Sequence, residues 1–492
     1  MSKTFCVAPW QDIHITTNGR FKGCCVMSEG PNQGYLQTDG KNHRIQEGDI
    51  RAAINSDTSK EMRVACLNDD WHPECIRCER EETAGMNSMR IVYQNRWKDT
   101  FTEKDARKIT EEDGSIPDDH EPFFYDIQLG NFCNLKCRIC NLQSSSTWYA
   151  DWMSMKAMQP TKGRPDRNRH KEQTFHSARN EIKVTHISGK QYEVSPDIYA
   201  WANSKEFWDG LSERKSQIDH LYLIGGEPMM IPKPLHLGFL QECVDSGDAE
   251  RITLQYDTNM TNIPDEFIEV WKKFKKVLIG FSIDGMGKPN EYMRAPSKWT
   301  QVIKNLHKLD KAVGSGEGNI ELNESITISI YNILHILDFL EWKITVGRYE
   351  FKHVFQRCNN HMFSHPLHDP DFLNTVIMPV SAKKIIIQKY EDWRIKMKDW
   401  AGEDDDSPYS NVQTIGQLKN TIDAFVNSWQ TYLEQHLAFN SDKKMYKFWE
   451  YNQQLDDIRS EKFADVFPEL NQLLLDYTEK PWWGFEPTNK FR

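Results

Sequence analysis

Three cysteines stand directly behind a strand-like stretch, and their spacing constrains this chain more than any other feature. Cys133, Cys137 and Cys140 follow a C-x3-C-x2-C pattern after the apolar run 123–129. A four-iron cluster is normally held by four thiolates, so a loop that offers three leaves one iron open. Zinc also takes four ligands, and no fourth lies near these cysteines in sequence. The loop favours a cluster with an open iron, and the alternatives are buried thiols or zinc with a remote fourth ligand.

Three more motifs follow at the ends of predicted strands. They are Gly225-Gly226-Glu227-Pro228 after strand 220–224, Asp257-Thr258-Asn259 after strand 252–256, and Ser282-Ile283-Asp284-Gly285 in strand 277–283. With the cysteines, these four elements in this order resemble the radical S-adenosylmethionine superfamily. The resemblance implies a site-differentiated 4Fe-4S cluster whose open iron binds the amino and carboxylate groups of S-adenosylmethionine.

The resemblance also implies roles for single residues. Gly225 and Gly226 let the backbone approach the methionine end of the cofactor, because glycine has no side chain to prevent it. Glu227 accepts a hydrogen bond from the cofactor's ammonium group. Thr258 and Ser282 hold the ribose.

One arginine and two departures complete the comparison with the superfamily. Arg294 carries a fork of donors that suits the cofactor carboxylate, and a surface salt bridge is the alternative. Ile139 stands where the superfamily usually has an aromatic residue beside the adenine, so packing is kept but ring stacking is lost. The glycine-rich element often found on the fifth strand has only a weak counterpart in 326–330 followed by Asn332.

The whole chain sets the broad class. Its 492 residues suggest about three domains, and a hydrophobic fraction of 38% is ample for packed interiors. The mean hydropathy is -0.70, and no run approaches the ~20 apolar residues that cross a bilayer. The first residues lack the apolar core of a signal peptide, so we expect a cytoplasmic protein without membrane contact.

Charge and cysteine usage narrow the class further. A net charge of -11 argues against general nucleic-acid binding, which needs a basic face. Nine of the eleven cysteines fall in the first 140 residues. In a cytoplasmic chain such clustering indicates metal rather than disulfides.

A second group of cysteines lies in the first 95 residues. A hairpin with Asn18-Gly19 at its turn is predicted from 11–16 and 21–24, and Cys75 and Cys78 form a C-x2-C pair. With Cys6 and Cys24, this layout resembles the twitch or SPASM module and implies an auxiliary 4Fe-4S cluster. In most relatives the module follows the barrel, whereas here it precedes it. A structural zinc site is the alternative.

Two further cysteines leave the ligand set open. Cys25 and Cys66 are each able to replace Cys24, or to serve as small buried side chains.

The predicted fold is α/β. It comprises a twitch-like α+β module over 1–95, a charged linker over 96–120, a partial (β/α)6 barrel over 121–360 and a C-terminal helical region over 361–492. On such barrels, sites lie at the carboxyl ends of the strands.

Several segments of the barrel and of the C-terminal region carry their own predictions. The insertion 155–196 is rich in basic residues and is taken as a solvated loop, with a site for an acidic peptide or a phosphate-bearing substrate as the alternative. The last barrel strand is predicted at 350–356. Just beyond it, Cys358 is a packed free thiol or, alternatively, a hydrogen-atom donor or cluster ligand. Helices are predicted at 382–401 and 418–437, with their tryptophans in packing roles.

Together these features favour an enzyme that cleaves S-adenosylmethionine to a 5'-deoxyadenosyl radical, which abstracts hydrogen from a substrate carbon. Because relatives with the auxiliary module often act on peptides, we expect a peptide or protein substrate and a reductase or flavodoxin-type electron donor. The alternatives are radical modification of a small metabolite or RNA, and a zinc-stabilised binding scaffold without catalysis.

Overall fold

The structure, a computed structural model, divides into two compact units. It describes residues 2–48, 50–83, 85–158, 172–177, 180–188, 191–195, 197–315, 319–357, 362–398 and 415–475. Unit 1 comprises Met1–Cys133, Ile198–Tyr256 and Glu269–Val277, and unit 2 comprises Asn134–Asp197, Asp257–Ile268 and Leu278–Arg492.

Strands and helices alternate through much of the described chain, and the fold is mixed α/β with a large, mostly parallel sheet. The strands are β1 Asp12–Ile15, β2 Phe21–Lys22, β3 Gln37–Thr38, β4 Lys41–Asn42, β5 Phe124–Gln128, β6 Glu172–Ser177, β7 Asn180–Ser188, β8 Gln191–Ser195, β9 His220–Ile224, β10 Thr253–Thr258, β11 Lys276–Phe281, β12 Ile320–Ile328 and β13 Met362–Pro366.

The α-helices cover both units. They are α1 Ala8–Gln11, α2 Ile50–Ile54, α3 Asp57–Leu67, α4 Ile76–Thr83, α5 Met89–Trp97, α6 Glu103–Ile109, α7 Trp148–Met158, α8 Lys205–Arg214, α9 Lys233–Asp245, α10 Asp265–Trp271, α11 Gly287–Met293, α12 Trp299–Ser315, α13 Ile336–Trp342, α14 Arg348–Glu350, α15 Lys352–Arg357, α16 Val380–Lys398, α17 Ile415–Gln435, α18 Asp442–Arg459, α19 Phe463–Val466 and α20 Pro468–Leu475. No helix of the described residues is long and apolar enough to cross a membrane.

In unit 1 the strand order is β2-β1-β5-β9-β10, with β1, β5, β9 and β10 parallel and β2 antiparallel to β1. Side chains alternate between the two faces of a strand. One face therefore collects the fully buried Tyr125, Ile127, Leu221 and Leu223. The predicted strand 220–224 is confirmed in full, because a short apolar run bounded by glycines has few other ways to fold.

The predicted N-terminal hairpin is also confirmed. His14 pairs with Lys22 across β1 and β2, and Gly19 takes a positive φ of 77° in the turn. Strand β1 also pairs with β5 in parallel, so the first 95 residues pack within unit 1 rather than as a separate compact body. The assignment of these residues to a twitch module stays a prediction.

The stretch 96–120 is not a flexible linker. It contains α6, whose Thr102 and Asp105 form a capping box. Ile116 is buried, and Asp113 Oδ2 lies 2.9 Å from Lys60 Nζ. Sequence reasoning saw only its charge, but its few apolar side chains anchor it to unit 1.

In unit 2 the strand order is β11-β12-β13, and β13 is parallel to β12. The predicted last strand 350–356 is wrong, because this stretch forms α14 and α15. Phe351, Val354 and Phe355 are buried at helical i, i+3, i+4 spacing, a period that the short apolar run left ambiguous.

The described part of the insertion is a sheet rather than a loop. Strands β6, β7 and β8 pair antiparallel within 155–196. Of the basic residues in this segment, Lys183 is described and exposed. Lys162, Arg164, Arg167, Arg169, His170, Lys171 and Arg179 lie outside the described residues.

The C-terminal region is helical, as predicted, and α16 packs against α17. Trp393 and Trp429 are buried, which confirms their packing role. Trp400, Trp482 and Trp483 lie outside the described residues.

Candidate functional site

The predicted site residues are divided between the two units. Unit 1 holds Cys6, Cys24, Cys75, Cys78, Cys133, Gly225, Gly226 and Glu227. Unit 2 holds Cys137, Cys140, Thr258, Ser282 and Arg294. Cys358 lies outside the described residues.

In unit 1 the glycine motif packs on the backbone that leads into Cys133. Gly225 has a φ of 131°, and a Cβ there would lie 2.6 Å from Leu129 N. A Cβ on Gly226 would lie 2.5 Å from Phe132 O, and Glu227 N donates to the same oxygen at 2.9 Å. Only glycine fits such close contacts. The motif therefore fixes the start of the cysteine loop.

Glu227 is placed to accept hydrogen bonds. The side chain is 2% exposed, and Oε1 accepts from Met229 N at 3.2 Å, capping the short 3-10 helix Pro228–Met230. A buried carboxylate needs donors around it to remain charged. Carboxylate oxygens accept hydrogen bonds, including those from an ammonium group.

In unit 2 the surroundings of Cys137 lower the pKa of its thiol. A hydrogen bond from Cys140 lowers the pKa of the Cys137 thiol most strongly; burial acts against it, and the Arg294 guanidinium lowers it further. Thiolates, not thiols, are the ligands of iron. The two thiols and the arginine thus form one electrostatic group.

Arg294 forms a salt bridge, as its predicted alternative holds, but the pair is buried rather than on the surface. Its Nη2 lies 2.7 Å from Asp284 Oδ2. Burial acts to lower the pKa of Arg294, but Asp284, Cys137 and Cys140 raise it overall. Nε has no hydrogen-bond partner among the described residues. A buried guanidinium with an unused donor fits an anionic ligand such as a carboxylate.

The two predicted ribose-binding residues lie side by side at the ends of β10 and β11. Ser282 N donates to Thr258 O at 2.9 Å. The Thr258 hydroxyl accepts from Met260 N at 3.3 Å. The weak candidate for the glycine-rich element also lies here, because Asn332 Nδ2 donates to Asp284 O at 3.1 Å.

A buried arginine inside the cysteine loop was missed by sequence reasoning. Arg138 is fully buried, and Nη2 lies 2.6 Å from Asp456 Oδ1 and 2.8 Å from Glu461 Oε2. Its guanidinium lies over the Tyr292 ring at 3.6 Å, and its carbonyl accepts from Tyr451 at 2.6 Å. Helix α18 therefore holds the loop between Cys137 and Cys140.

A second contact from the same helix reinforces this hold. Arg459 Nε donates to Asp151 Oδ2 at 2.8 Å, and Nη2 donates to Lys136 O at 2.8 Å. Trp148 Nε1 donates to Cys137 O at 3.0 Å. In the sequence, the only signal of this hold is that a charged residue, Arg138, stands between two proposed ligands. Its partners Asp456 and Glu461 lie more than 300 residues later.

Five N-terminal cysteines of unit 1 line one small cavity of about 30 Å³. The thiol residues that line it are Cys6, Cys24, Cys66, Cys75 and Cys78. Cys25 does not line it, and its sulfur lies 3.5 Å from the Tyr93 hydroxyl. Cys66 thus joins the four predicted residues, while Cys25 does not.

Burial dominates the chemistry of these thiols. It raises the pKa of Cys6 and Cys24 well above the ordinary value, and that of Cys66 to about 12. Neighbouring thiols raise these values further, because each thiolate repels the next. Iron bound to the sulfurs would remove that repulsion, so the chemistry of these thiols suits a cluster with several iron ions. Among the described residues, no three His, Cys, Asp or Glu side chains are grouped to hold a single metal ion.

Comparison with known proteins gives structural matches alone. No protein-family profile and no curated protein sequence matches the chain. SuiB of Streptococcus suis bound to the precursor peptide SuiA matches with 12% identity and a TM-score of 0.27, covering 68% of this chain and 63% of that one. SuiB with S-adenosylmethionine matches with 13% identity and a TM-score of 0.28, covering 69% and 63%. Native anSMEcpe with bound AdoMet matches with 14% identity and a TM-score of 0.30, covering 55% and 60%.

This chain therefore spans less than two thirds of the length of the first SuiB structures. S-adenosylmethionine is bound in two of these three structures.

Proposed function

We propose that this chain is a radical S-adenosylmethionine enzyme. The observation that carries the proposal is the packing of Gly225 and Gly226 on residues 129–132, which places the glycine motif against the lead into Cys133. Within unit 1, the glycine motif and the start of the cysteine loop are thus adjacent in space as well as ordered in sequence. Cysteines that occur by chance would not be expected to lie next to this motif.

The residues of the barrel loop fit the implied cofactors. Cys133, Cys137 and Cys140 would hold a site-differentiated 4Fe-4S cluster. When bound, the reduced cluster and S-adenosylmethionine supply a 5'-deoxyadenosyl radical that abstracts hydrogen from a substrate carbon. Glu227 would accept from the cofactor ammonium, and Arg294 would pair with its carboxylate.

The remaining motif residues position the cofactor in the same proposal. Thr258 and Ser282 would hold the ribose from the ends of two neighbouring strands. Asp284 fixes Arg294 from one side, and it accepts from Thr327 N at 2.9 Å through its other oxygen. A held guanidinium loses little entropy when an anion binds.

The N-terminal cavity supports an auxiliary 4Fe-4S cluster. Cys6, Cys75 and Cys78, with Cys24 or Cys66, supply four thiols that line this cavity. Such a cluster would take up the electron left on the substrate radical or bind the substrate. We propose a peptide or protein substrate and a reductase or flavodoxin-type donor, both from the resemblance to the twitch module. Modification of a small metabolite or RNA, and a zinc-bound scaffold, are the rival proposals.

Anaerobic reconstitution with iron and sulfide tests the enzyme against the scaffold. We expect a visible spectrum of 4Fe-4S clusters, and 5'-deoxyadenosine when dithionite and S-adenosylmethionine are added. Zinc in place of iron, with no 5'-deoxyadenosine formed, would contradict the proposed function.

A further inference from the structure

Strand β13 ends the large sheet among the described residues, so its outer edge has no strand beside it there. On the inner edge, Leu367 N donates to Ile328 O, the last residue of β12, at 2.9 Å. The backbone groups of successive residues in a strand point alternately to its two sides. Counting back from Leu367, every second residue faces β12. Met362 and Ser364 therefore turn their N–H and C=O groups to the outer edge.

The sequence of β13 lacks the side chains that usually block such an edge. Natural edge strands are commonly protected by charged residues, above all Lys. The five residues Met362–Pro366 include no Lys, Arg, Asp or Glu. Pro366 stands last in the strand, where it adds an outward carbonyl without an N–H and so ends the pairing. An uncharged edge of this kind is a template for a second extended backbone.

The two faces of β13 have different surroundings. On one face, Ser364 Oγ accepts from Trp429 Nε1 of α17 at 2.9 Å, so a helix contacts this face. On the other face, Phe363 is 56% exposed, and His365 is exposed as well. A strand paired at the outer edge would place its own side chains beside these two, because neighbouring residues of paired strands share a face.

The exposed face is connected to the residues proposed to hold the cofactor. His365 Nε2 lies 3.2 Å from Thr327 Oγ1. Thr327 N donates to Asp284 Oδ1 at 2.9 Å, and Asp284 Oδ2 lies 2.7 Å from Arg294 Nη2. All four residues belong to unit 2. A chain bound beside β13 would thus run towards the carboxyl end of the sheet, where sites on such folds lie.

We propose that the outer edge of β13 binds an extended segment of the peptide substrate as an additional strand. The occupant is a peptide because a row of outward N–H and C=O groups is matched by another extended backbone. An apolar side chain of the substrate would lie beside Phe363, and a hydrogen-bonding one beside His365. The inference rests on the proposed function, since it assigns a binding surface to the peptide substrate proposed there.

Random peptides displayed on phage and selected on the full-length, reconstituted protein supply the probe. The selected peptides are synthesised with an acetylated N-terminus and an amidated C-terminus, and their affinity is measured by calorimetry. Phe363→Ala should weaken binding about tenfold, because an aromatic anchor is lost. Phe439→Ala is the matched control, since Phe439 is 49% exposed and lies outside the proposed surface. It should bind like the unsubstituted protein.

A second measurement reads the backbone pairing and uses the unsubstituted protein, so it does not depend on how the variants fold. Single peptide nitrogens are methylated in turn along a selected peptide. Methylation should weaken binding about tenfold at every second position, because a hydrogen bond to β13 is lost there. The positions between should keep nearly full affinity, since their N–H groups point away from β13.

Three results would overturn the edge site. They are a selection that yields no binding peptide, equal affinity of the unsubstituted and Phe363→Ala proteins, and a methylation pattern without alternation. A stable dimer in light scattering that Ser364→Pro converts to a monomer would overturn it as well, because a second copy of the chain then occupies the edge. Cofactor cleavage is measured separately. If alternation is found but no 5'-deoxyadenosine forms under dithionite, the proposed enzyme fails while the peptide edge stands.

Discussion

The two groups of cysteines in this protein differ in how their surroundings shift the thiol pKa. In the cysteine loop 133–140, a hydrogen bond from Cys140 and the Arg294 guanidinium lower the pKa of Cys137 despite its burial. In the N-terminal cavity, burial and mutual repulsion raise the pKa of the Cys6 and Cys66 thiols. The first environment favours loss of the proton from a thiol, whereas the second opposes it.

The supporting structure differs as well. The cysteine loop forms no helix or strand of its own between 130 and 147, and α18 holds it through Arg138. The cavity takes Cys66 from α3 and Cys78 from α4, while Cys6 and Cys24 lie outside helices and strands. The loop proposed to present an open iron is thus fixed by charge, and the proposed auxiliary site is built in part from helices.

The largest expected effect is loss of cofactor cleavage when the barrel loop loses a thiol. Cys137→Ala should abolish 5'-deoxyadenosine production under dithionite, because two thiolates do not retain the cluster. Cys243→Ala should keep wild-type production. Substantial cleavage by the Cys137 variant would mean that the barrel loop is not the cluster site.

The second effect separates the sites from each other. Changing Cys75 and Cys78 together to Ala should lower bound iron to about half, while uncoupled cofactor cleavage continues, because the sites use different thiolates. Iron analysis and the same cleavage assay measure both quantities. Cleavage lost together with the iron would show that the two sites are not independent.

The third effect concerns the hold of α18 on the loop. Arg138→Met should destabilise the fold by about 3 kcal/mol, because it leaves the Asp456 carboxylate without its buried cation. Arg77→Met is the control: Arg77 pairs with Glu81 on the surface, where such pairs contribute about 0–1 kcal/mol. Denaturant unfolding of the metal-free proteins measures the difference. Equal stabilities would show that α18 does not fix the loop through charge.

The smallest effect tests Glu227, which is proposed to bind the cofactor without holding iron. Glu227→Ala should keep the cluster and weaken S-adenosylmethionine binding by about 1.5–3 kcal/mol, the range for a hydrogen bond to a charged group. Glu227→Gln keeps an acceptor for Met229 N and should lose affinity through charge alone. Equilibrium binding of S-adenosylmethionine to the reconstituted variants measures the effect. Unchanged affinity in both Glu227 variants would show that Glu227 does not contact the cofactor.

Sequence reasoning succeeded where a local pattern has one stable outcome. The strand 220–224 and the hairpin at Gly19 follow from apolar runs and turn chemistry. It failed at 350–356, where Phe351 and Phe355 fit a strand or a helix until the burial of one helical face decides. It also failed in the insertion, where the many charged residues led to the prediction of a loop although three strands pair there.

Parts of the candidate sites depend on tertiary contacts that spacing does not encode. Cys66 reaches the cavity because α3 folds back beside the segment of Cys6. Arg138 acquires its role from Asp456, more than 300 residues later. In each case the residue type was visible in the sequence, but its partner was not.

The central proposal is that the loop with Cys133, Cys137 and Cys140 carries the open iron and that the N-terminal cavity does not. Electron paramagnetic resonance of the reduced, reconstituted protein tests it directly. S-adenosylmethionine should shift the signal of one cluster in the wild type and in the Cys75→Ala, Cys78→Ala protein, because an open iron alone has room for the cofactor. A shift that persists in Cys137→Ala, or is absent from the wild type, would contradict the account.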